Sequence, residues 1–408
     1  MVLDQVLSSG SNFLLSFVLV RSLSPRSFGA FGVALVTYQL ILSLSRAQAS
    51  EPMAIRFASA EEKEWRVAAG SSAGFALVLS LMAAAGILIS SLFAVGELKT
   101  SLMLMALILP ALLVQDAWRF AFFAQGRPAR AAANDLIWAV IQCVLLIGVA
   151  VLGNVTITWA ILSWGVAASA AAVAGAVQAG CAPRPDRARS WVRDNKVIGA
   201  VMSGDLIARG VASQAALFAV GAIAGLAAVG YIRAGLLLFG PLYALIQGVV
   251  PFAVGECVRL KRDNPARFVP ATVWLSTLLA GGGLGLGIVL LLLPTEWGVA
   301  LLNENWAGTQ VLLPAMIMLA VTAGVVVGPA VGLRAIPSVH RLLVISLVVA
   351  PFTIALAAAG AVLGGATGGS WGLALANAIT AAGLIWQFRS ALRESKSVPH
   401  QTVGPAPG

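Results

Sequence analysis

The chain has 408 residues, 59% of them hydrophobic and only 10% charged, with a net charge of +10. Soluble domains run at roughly 45–50% apolar and about 25% charged, so this composition excludes a soluble globular protein and points to an integral membrane protein. The three cysteines, Cys143, Cys181 and Cys257, have no paired spacing, and with His340 and His400 they form no metal-ligand or redox motif.

A bilayer crossing takes roughly 20 apolar residues. Twelve stretches meet that length: about 2–22, 29–49, 67–93, 100–124, 131–152, 155–179, 197–222, 226–252, 270–293, 310–330, 341–364 and 369–388. The predicted fold class is all-α, a polytopic membrane protein with about 12 transmembrane helices in two six-helix lobes. The first lobe is expected over 1–180, a cytoplasmic inter-lobe linker over 181–196, the second lobe over 197–389 and a disordered cytoplasmic tail over 390–408. The first apolar segment has no basic region before it and no small-residue cleavage site, so it is expected to remain as a span.

In chain order, helix 1 opens with Ser8, Ser9, Gly10, Ser11 and Asn12. This small polar face suits helix packing or the wall of a polar path. Helix 4 carries Asp116 and Arg119, three apart and so on one face. Arg119 stands seven residues before Gly126, and Asp135 of helix 5 stands seven after Pro128. At about 1.5 Å rise per residue, both lie roughly 10 Å from the same turn, which predicts that they reach each other. Arg127 and Arg130, in the turn, are expected to face water. Charges inside a span cost about 2.5–3.5 kcal/mol each and normally face the bundle interior. The cluster therefore either pins helices 4 and 5 or contacts an anionic ligand or a moving proton.

Helix 7 holds Asp205 and Arg209, four apart. Helix 8 holds Arg233, about two turns from its outer end, with no acid on the same helix. Such an arginine is expected to line a wet cavity or bind an anion, or else to snorkel outward. In helix 9, "AGGGLGLGIVL" lacks the Lys-Ser/Thr of a phosphate loop; it predicts a close-packed helix.

With the N-terminus inside, the cytoplasmic connectors and tail hold 20 of the 26 lysines and arginines, and the opposite side holds three. That bias predicts both termini cytoplasmic, and the expected location is the plasma (inner) membrane. It also accounts for the basic charge through topology, which leaves no patch for nucleic acid. Trp159, Trp297, Trp306 and Trp371 near outer ends, and Trp65, Trp191 and Trp386 near inner ends, are expected to form interfacial belts. A weak repeat runs at an offset of 201: Asp4 matches Asp205, and Phe28-Gly29-Ala30-Phe31 matches Val229-Gly230-Tyr231-Ile232. Parallel repeats of this kind build two lobes around a central site.

Four segments carry a family resemblance. "LSSGSNFLLSFVLVRSLSPRSFGAFG" is similar to the opening of polysaccharide (O-antigen type) flippases of the multidrug/oligosaccharidyl-lipid/polysaccharide exporter superfamily. "SRAQASEPMAIR", "QDAWRFAFFAQGRPARAAANDLIWAVIQ" and "LLNENWAGTQVLLP" resemble further segments of such proteins. The resemblance implies alternating access and export of a lipid-linked sugar of the polyprenyl pyrophosphate type, with membrane lipids and polysaccharide assembly machinery as partners. It implies no cofactor and leaves a coupling proton or sodium ion open. It also implies a cationic cavity, for which Arg119, Arg209 and Arg233 are the candidates here, with Asn12, Asp116, Asp135 and Asp205 along the path.

Two other functions compete. A cation-coupled multidrug exporter of the same superfamily needs central carboxylates, and Asp205 or Asp116 could serve. A membrane enzyme such as a polytopic glycosyltransferase or ligase usually needs a long outer catalytic loop, and the outer connectors are short. The expectation is a transporter and not an enzyme.

Overall fold

The computed structural model describes residues 13–58, 60–153, 155–206, 211–336 and 340–397. All regular structure among these is helical. Helix α1 is Phe13–Ser22 and α2 is Pro25–Arg56. They are followed by α3 (Glu62–Ser91), α4 (Gly96–Ala124), α5 (Pro128–Val151), α6 (Ile157–Ala179), α7 (Ala188–Leu206) and α8 (Ala212–Ala224). The remainder are α9 (Leu226–Leu238), α10 (Gly240–Asp263), α11 (Pro265–Leu291), α12 (Thr295–Leu302), α13 (Asn305–Ala335) and α14 (His340–Ser397). Nine of the described helices are long and apolar enough to cross a membrane. The last is a hairpin: Gly364 and Gly365 leave helical geometry, and Gly365 takes φ +57, which favours glycine. With the hairpin counted as two and the shorter apolar helices α1 and α8 added, the described residues account for twelve segments, in line with the predicted fold class.

Local chemistry sets the boundaries. Ser24 caps α2 by accepting from the Ser27 amide at 3.2 Å, with Pro25 in the first turn where its missing N–H costs nothing. Thr156 caps α6 in the same way. Some boundaries differ from the sequence expectation. Helix α2 runs to Arg56 rather than 49, so Arg46, at the end of the expected span and counted there with the connector charges, stands well inside the helix. Helices α10 and α11 leave only Asn264 between them. The linker expected over 181–196 contains a turn at Pro185–Arg187 and the first half of α7. The tail expected to be disordered from 390 is helical to Ser397. Its first turns are held because Ala391 is buried, Leu392 packs beside it and Glu394 pairs with Arg341 at 2.5 Å.

In the first half, α4 packs on α3 and α6, α5 on α6, and α2 on α4. In the second, α13 packs on α11 and α14, α14 on α8, and α10 on α11 and α13. The glycine-rich stretch of α11 is close-packed: a Cβ at Gly283 would meet the Ala320 backbone and one at Gly287 would meet Ile317, both on α13. The large side chains left exposed, such as Phe93, Leu107, Val144, Trp274 and Phe352, are apolar, as a lipid-facing exterior requires.

The halves meet through α2 and α9. A Cβ at Gly29 would strike the Leu226 carbonyl, and one at Gly230 would strike the Pro25 carbonyl. These four residues are related in pairs by the offset of 201 seen in the sequence, so the two halves touch reciprocally, glycine to backbone. Asn305 adds a second tie, donating from Nδ2 to the carbonyls of Val20 (2.7 Å) and Leu23 (3.0 Å) at the end of α1. Both ties lie at the end of the bundle opposite the arginine-rich connectors; the latter is called the basic end below.

The tryptophans divide differently from the expected belts. Trp159, Trp297, Trp371 and Trp386 are exposed. Trp65, Trp191 and Trp306 are buried and serve as packing anchors. The Trp65 and Trp191 indoles donate to the carbonyls of Ala121 (2.9 Å) and Gln48 (3.0 Å), so an indole N–H near a helix end has found backbone instead of a headgroup.

Candidate functional site

Helix α2 turns one stripe inward: Phe31, Leu35, Tyr38, Gln39, Leu42 and Arg46, spaced three or four apart. They line a cavity of about 350 Å³ together with Gln115, Asp116 and Arg119 of α4, Asp135 and Trp138 of α5, Trp164 of α6 and Arg233 of α9. Just past Arg46 the helix widens into a π turn, Arg46–Ser50. Pro52 explains it. Proline has no N–H to donate to the carbonyl four residues back, and that carbonyl, on Gln48, accepts from Trp191 of α7 instead. The next carbonyl, on Ala49, accepts the Ser72 hydroxyl at 3.1 Å. The π turn is thus satisfied from outside α2, and the helix can continue beyond the cavity.

Two ion pairs stand on the wall. Arg46 forks onto Asp116, with Nη2 2.6 Å from Oδ1 and Nε 3.0 Å from Oδ2, and its guanidinium lies 5.4 Å from the Phe120 ring centre. Arg119 Nε lies 3.2 Å from Asp135 Oδ2, so the residues at matched depth do meet. Gln115 Nε2 donates to the other Asp135 oxygen at 2.9 Å and to Asn134 Oδ1 at 3.1 Å; Asn134 Nδ2 donates to the Ala171 carbonyl at 2.8 Å. The Arg119–Asp135 side chains are 12% and 5% exposed, against 37% and 6% for Arg46–Asp116. Both pairs line the cavity; the first is the more deeply buried, and Arg46 is the more exposed of the two arginines.

Arg233 is different. Among the described residues it has no carboxylate partner. Its Nη2 donates to Gln39 Oε1 at 3.3 Å, an oxygen that also accepts from Gln214 Nε2 of α8 at 3.0 Å. Its Nε is buried and has no hydrogen-bond partner among the described residues. Gln39 thus joins the two halves, and Arg233 keeps donors unused. Three arginines against two aspartates leave the described wall with one net positive charge.

Of the predicted residues, Asp116, Arg119, Asp135 and Arg233 converge on this cavity. Asn12 and Arg209 lie outside the described residues, as does the side chain of Asp205. Arg46, Gln39 and Gln115 were not predicted. Arg46 continues the three-to-four spacing of Leu35, Gln39 and Leu42, and that stripe is the signal that identifies it. Among the described residues no three His, Cys, Asp or Glu converge as a metal site would require.

Two helical halves around a polar, charged cavity make this a two-lobed, all-helical membrane fold. No family model matches the chain, and no curated protein sequence is close enough to count as a relative. Solved structures do match. An inward-facing multidrug resistance MATE family transporter of the MOP superfamily aligns with a TM-score of 0.73, 14% identity and 96% of each chain covered. The lipid II flippase MurJ, in an inward closed conformation, aligns with a TM-score of 0.73, 10% identity, and 95% of this chain and 86% of that one covered. An outward-facing MATE family transporter gives 0.57 at 14% identity, covering 97% and 95%. The chain has the fold of MOP-superfamily transporters.

Proposed function

We propose that the chain is a plasma (inner) membrane transporter that moves a lipid-linked oligosaccharide or polysaccharide precursor outward by alternating access. The observation that carries this reading is the charge state of the cavity wall: among the described residues both aspartates are paired with arginines, and Arg233 keeps donors unused. Such a wall favours an anion, and a guanidinium fork suits phosphate oxygens. A polyprenyl pyrophosphate sugar supplies that anion, and polysaccharide assembly machinery would receive the sugar outside. The MurJ likeness supports a lipid-linked substrate.

The runner-up is a cation-coupled multidrug exporter, which the MATE likeness favours. A cationic drug would have to displace Arg46 from Asp116 or Arg119 from Asp135, and it would meet Arg233 in the same cavity. The charge balance weighs against it.

Accumulation of the lipid-linked sugar on the inner leaflet tests the reading, scored beside the amount of protein in the membrane. Arg233→Gln is expected to abolish export at normal protein level. Arg233→Lys is expected to weaken it, because an ammonium keeps the charge and loses the fork. Unchanged export by Arg233→Gln would overturn the anion reading.

The basic end is proposed to be cytoplasmic, with both termini on that side. Leu363 sits 87% exposed at the tip of the α14 hairpin, and Asn264 is exposed in the turn at the basic end. In a background with the three native cysteines replaced, a membrane-impermeant maleimide should label Leu363→Cys in intact cells and spare Asn264→Cys. The reverse pattern would invert the topology.

A further inference from the structure

Three cavities are neighbours: two at the interface between the halves and one inside the second half. The cavity described above shares Ser16, Phe31, Leu35 and Arg233 with a second, of about 180 Å³. The second shares Leu236 with a third, of about 380 Å³, enclosed by α8, α13 and both arms of α14. Their linings differ in kind. The first carries five charged side chains. The third presents mainly apolar side chains, leucine, valine and alanine, from four helices, α8, α9, α13 and α14. Its polar residues are largely occupied within the second half itself: Thr353 and Thr380 donate to the carbonyls of Val349 (3.1 Å) and Ala376 (2.9 Å), and Asn377 donates to Thr322 Oγ1 (2.9 Å). Its one charged side chain among the described residues, Arg334, belongs to the last turn of α13 at the basic end.

Polar space, then a guanidinium, then apolar space is the order of groups in an amphiphile whose anionic group joins a polar head to an apolar tail. We propose that the apolar cavity of the second half is a tail site. It takes the first isoprenoid units next to the phosphate, while Arg233 holds the phosphate and the head occupies the charged cavity. This inference rests on the anion reading of Arg233 given above and adds to it where the tail goes. The cavity is too small for a whole polyprenyl chain. Only the units nearest the phosphate are bound by protein, and the affinity gain from chain length should stop after them.

The test uses the full chain in nanodiscs of zwitterionic lipid and a series of probes: inorganic pyrophosphate, then dimethylallyl, geranyl, farnesyl and geranylgeranyl pyrophosphate. A buried methylene is worth about fourfold in affinity. Affinity should therefore rise by at least about tenfold from pyrophosphate to the middle of the series, then level off. Ala350→Trp, which fills the apolar cavity, should remove most of that rise and leave inorganic pyrophosphate binding unchanged. Arg233→Gln should weaken every probe. If Ala350→Trp does not fold, Ala330→Leu on the facing helix narrows the same space with a smaller side chain, and a reduced rise is expected.

Affinity independent of chain length in the wild type, or full chain-length dependence in a folded cavity-filled variant, would overturn the tail site and leave the anion reading intact. Failure of the wild type to bind any pyrophosphate would overturn both. Competition by phosphatidylglycerol as strong as by farnesyl pyrophosphate would make the cavity an ordinary membrane-lipid site and also overturn the proposal.

Discussion

Arg119→Ala is expected to destabilise the protein by about 3–5 kcal/mol, the usual cost of breaking one side of a buried ion pair. The reason is what remains. Asp135 would be left 5% exposed, with Gln115 donating to one oxygen and the arginine charge gone. The removed side chain also covers Phe123, whose ring centre is 5.7 Å from the guanidinium. The neighbouring pair predicts a smaller effect, because Arg46 is 37% exposed and can turn toward cavity water if Asp116 is removed. Thermal melting of the purified protein, with the folded fraction recovered from membranes, checks both. Asp135→Asn in the Arg119→Ala background should restore much of the loss, since it removes the orphaned charge. The swap of the two residues should restore part. Wild-type melting of the single variant would mean that the pair is not a stabilising contact.

The second large effect is conformational. Gly230→Leu should weaken the state closed opposite the basic end. The first atom of any side chain at Gly230 meets the Pro25 carbonyl, and the repeat-related Gly29 meets the Leu226 carbonyl. Backbone cannot rotate away as a side chain can, so α2 and α9 must separate. Overpacking of this kind costs about 1–3 kcal/mol, which shifts a two-state population by about five- to more than a hundredfold. The readout is an impermeant thiol reagent acting on Leu35→Cys, in the cavity wall, in a background without Cys143, Cys181 and Cys257. Labelling from the side opposite the basic end should accelerate by a factor in that range. Gly230→Ala adds only the clashing atom and should act in the same direction more weakly. A folded Gly230→Leu protein that labels at the wild-type rate would show that this contact does not hold the closure, leaving the Asn305 tie to the end of α1 as the next candidate.

Much of the architecture was legible in the residues themselves, because a bilayer imposes a one-dimensional code. Apolar length decides whether a segment spans, and counting from a turn decides depth. Arg119 and Asp135 could be paired in advance because each is seven residues from one short turn and the two helices are sequence neighbours. The repeat was legible for a similar reason: Gly29 and Gly230 recur at an offset of 201, and only a residue without a side chain fits that contact.

What depended on tertiary structure was direction and partnership between helices far apart in sequence. Arg46 reads as one more basic residue at the end of a span until α2 is seen to continue through Pro52, and that requires Trp191 of α7 to satisfy the carbonyl the proline leaves free. Gln39 is an ordinary polar residue in a helix until α8 and α9 bring Gln214 and Arg233 to its oxygen. Trp65 and Trp191 read as interfacial by position, yet they are buried because carbonyls of other helices accept their indoles. Spacing along one helix determines depth and face. It does not determine which helix that face meets, and here that choice assembled the charged cavity and left Arg233 between polar and apolar space.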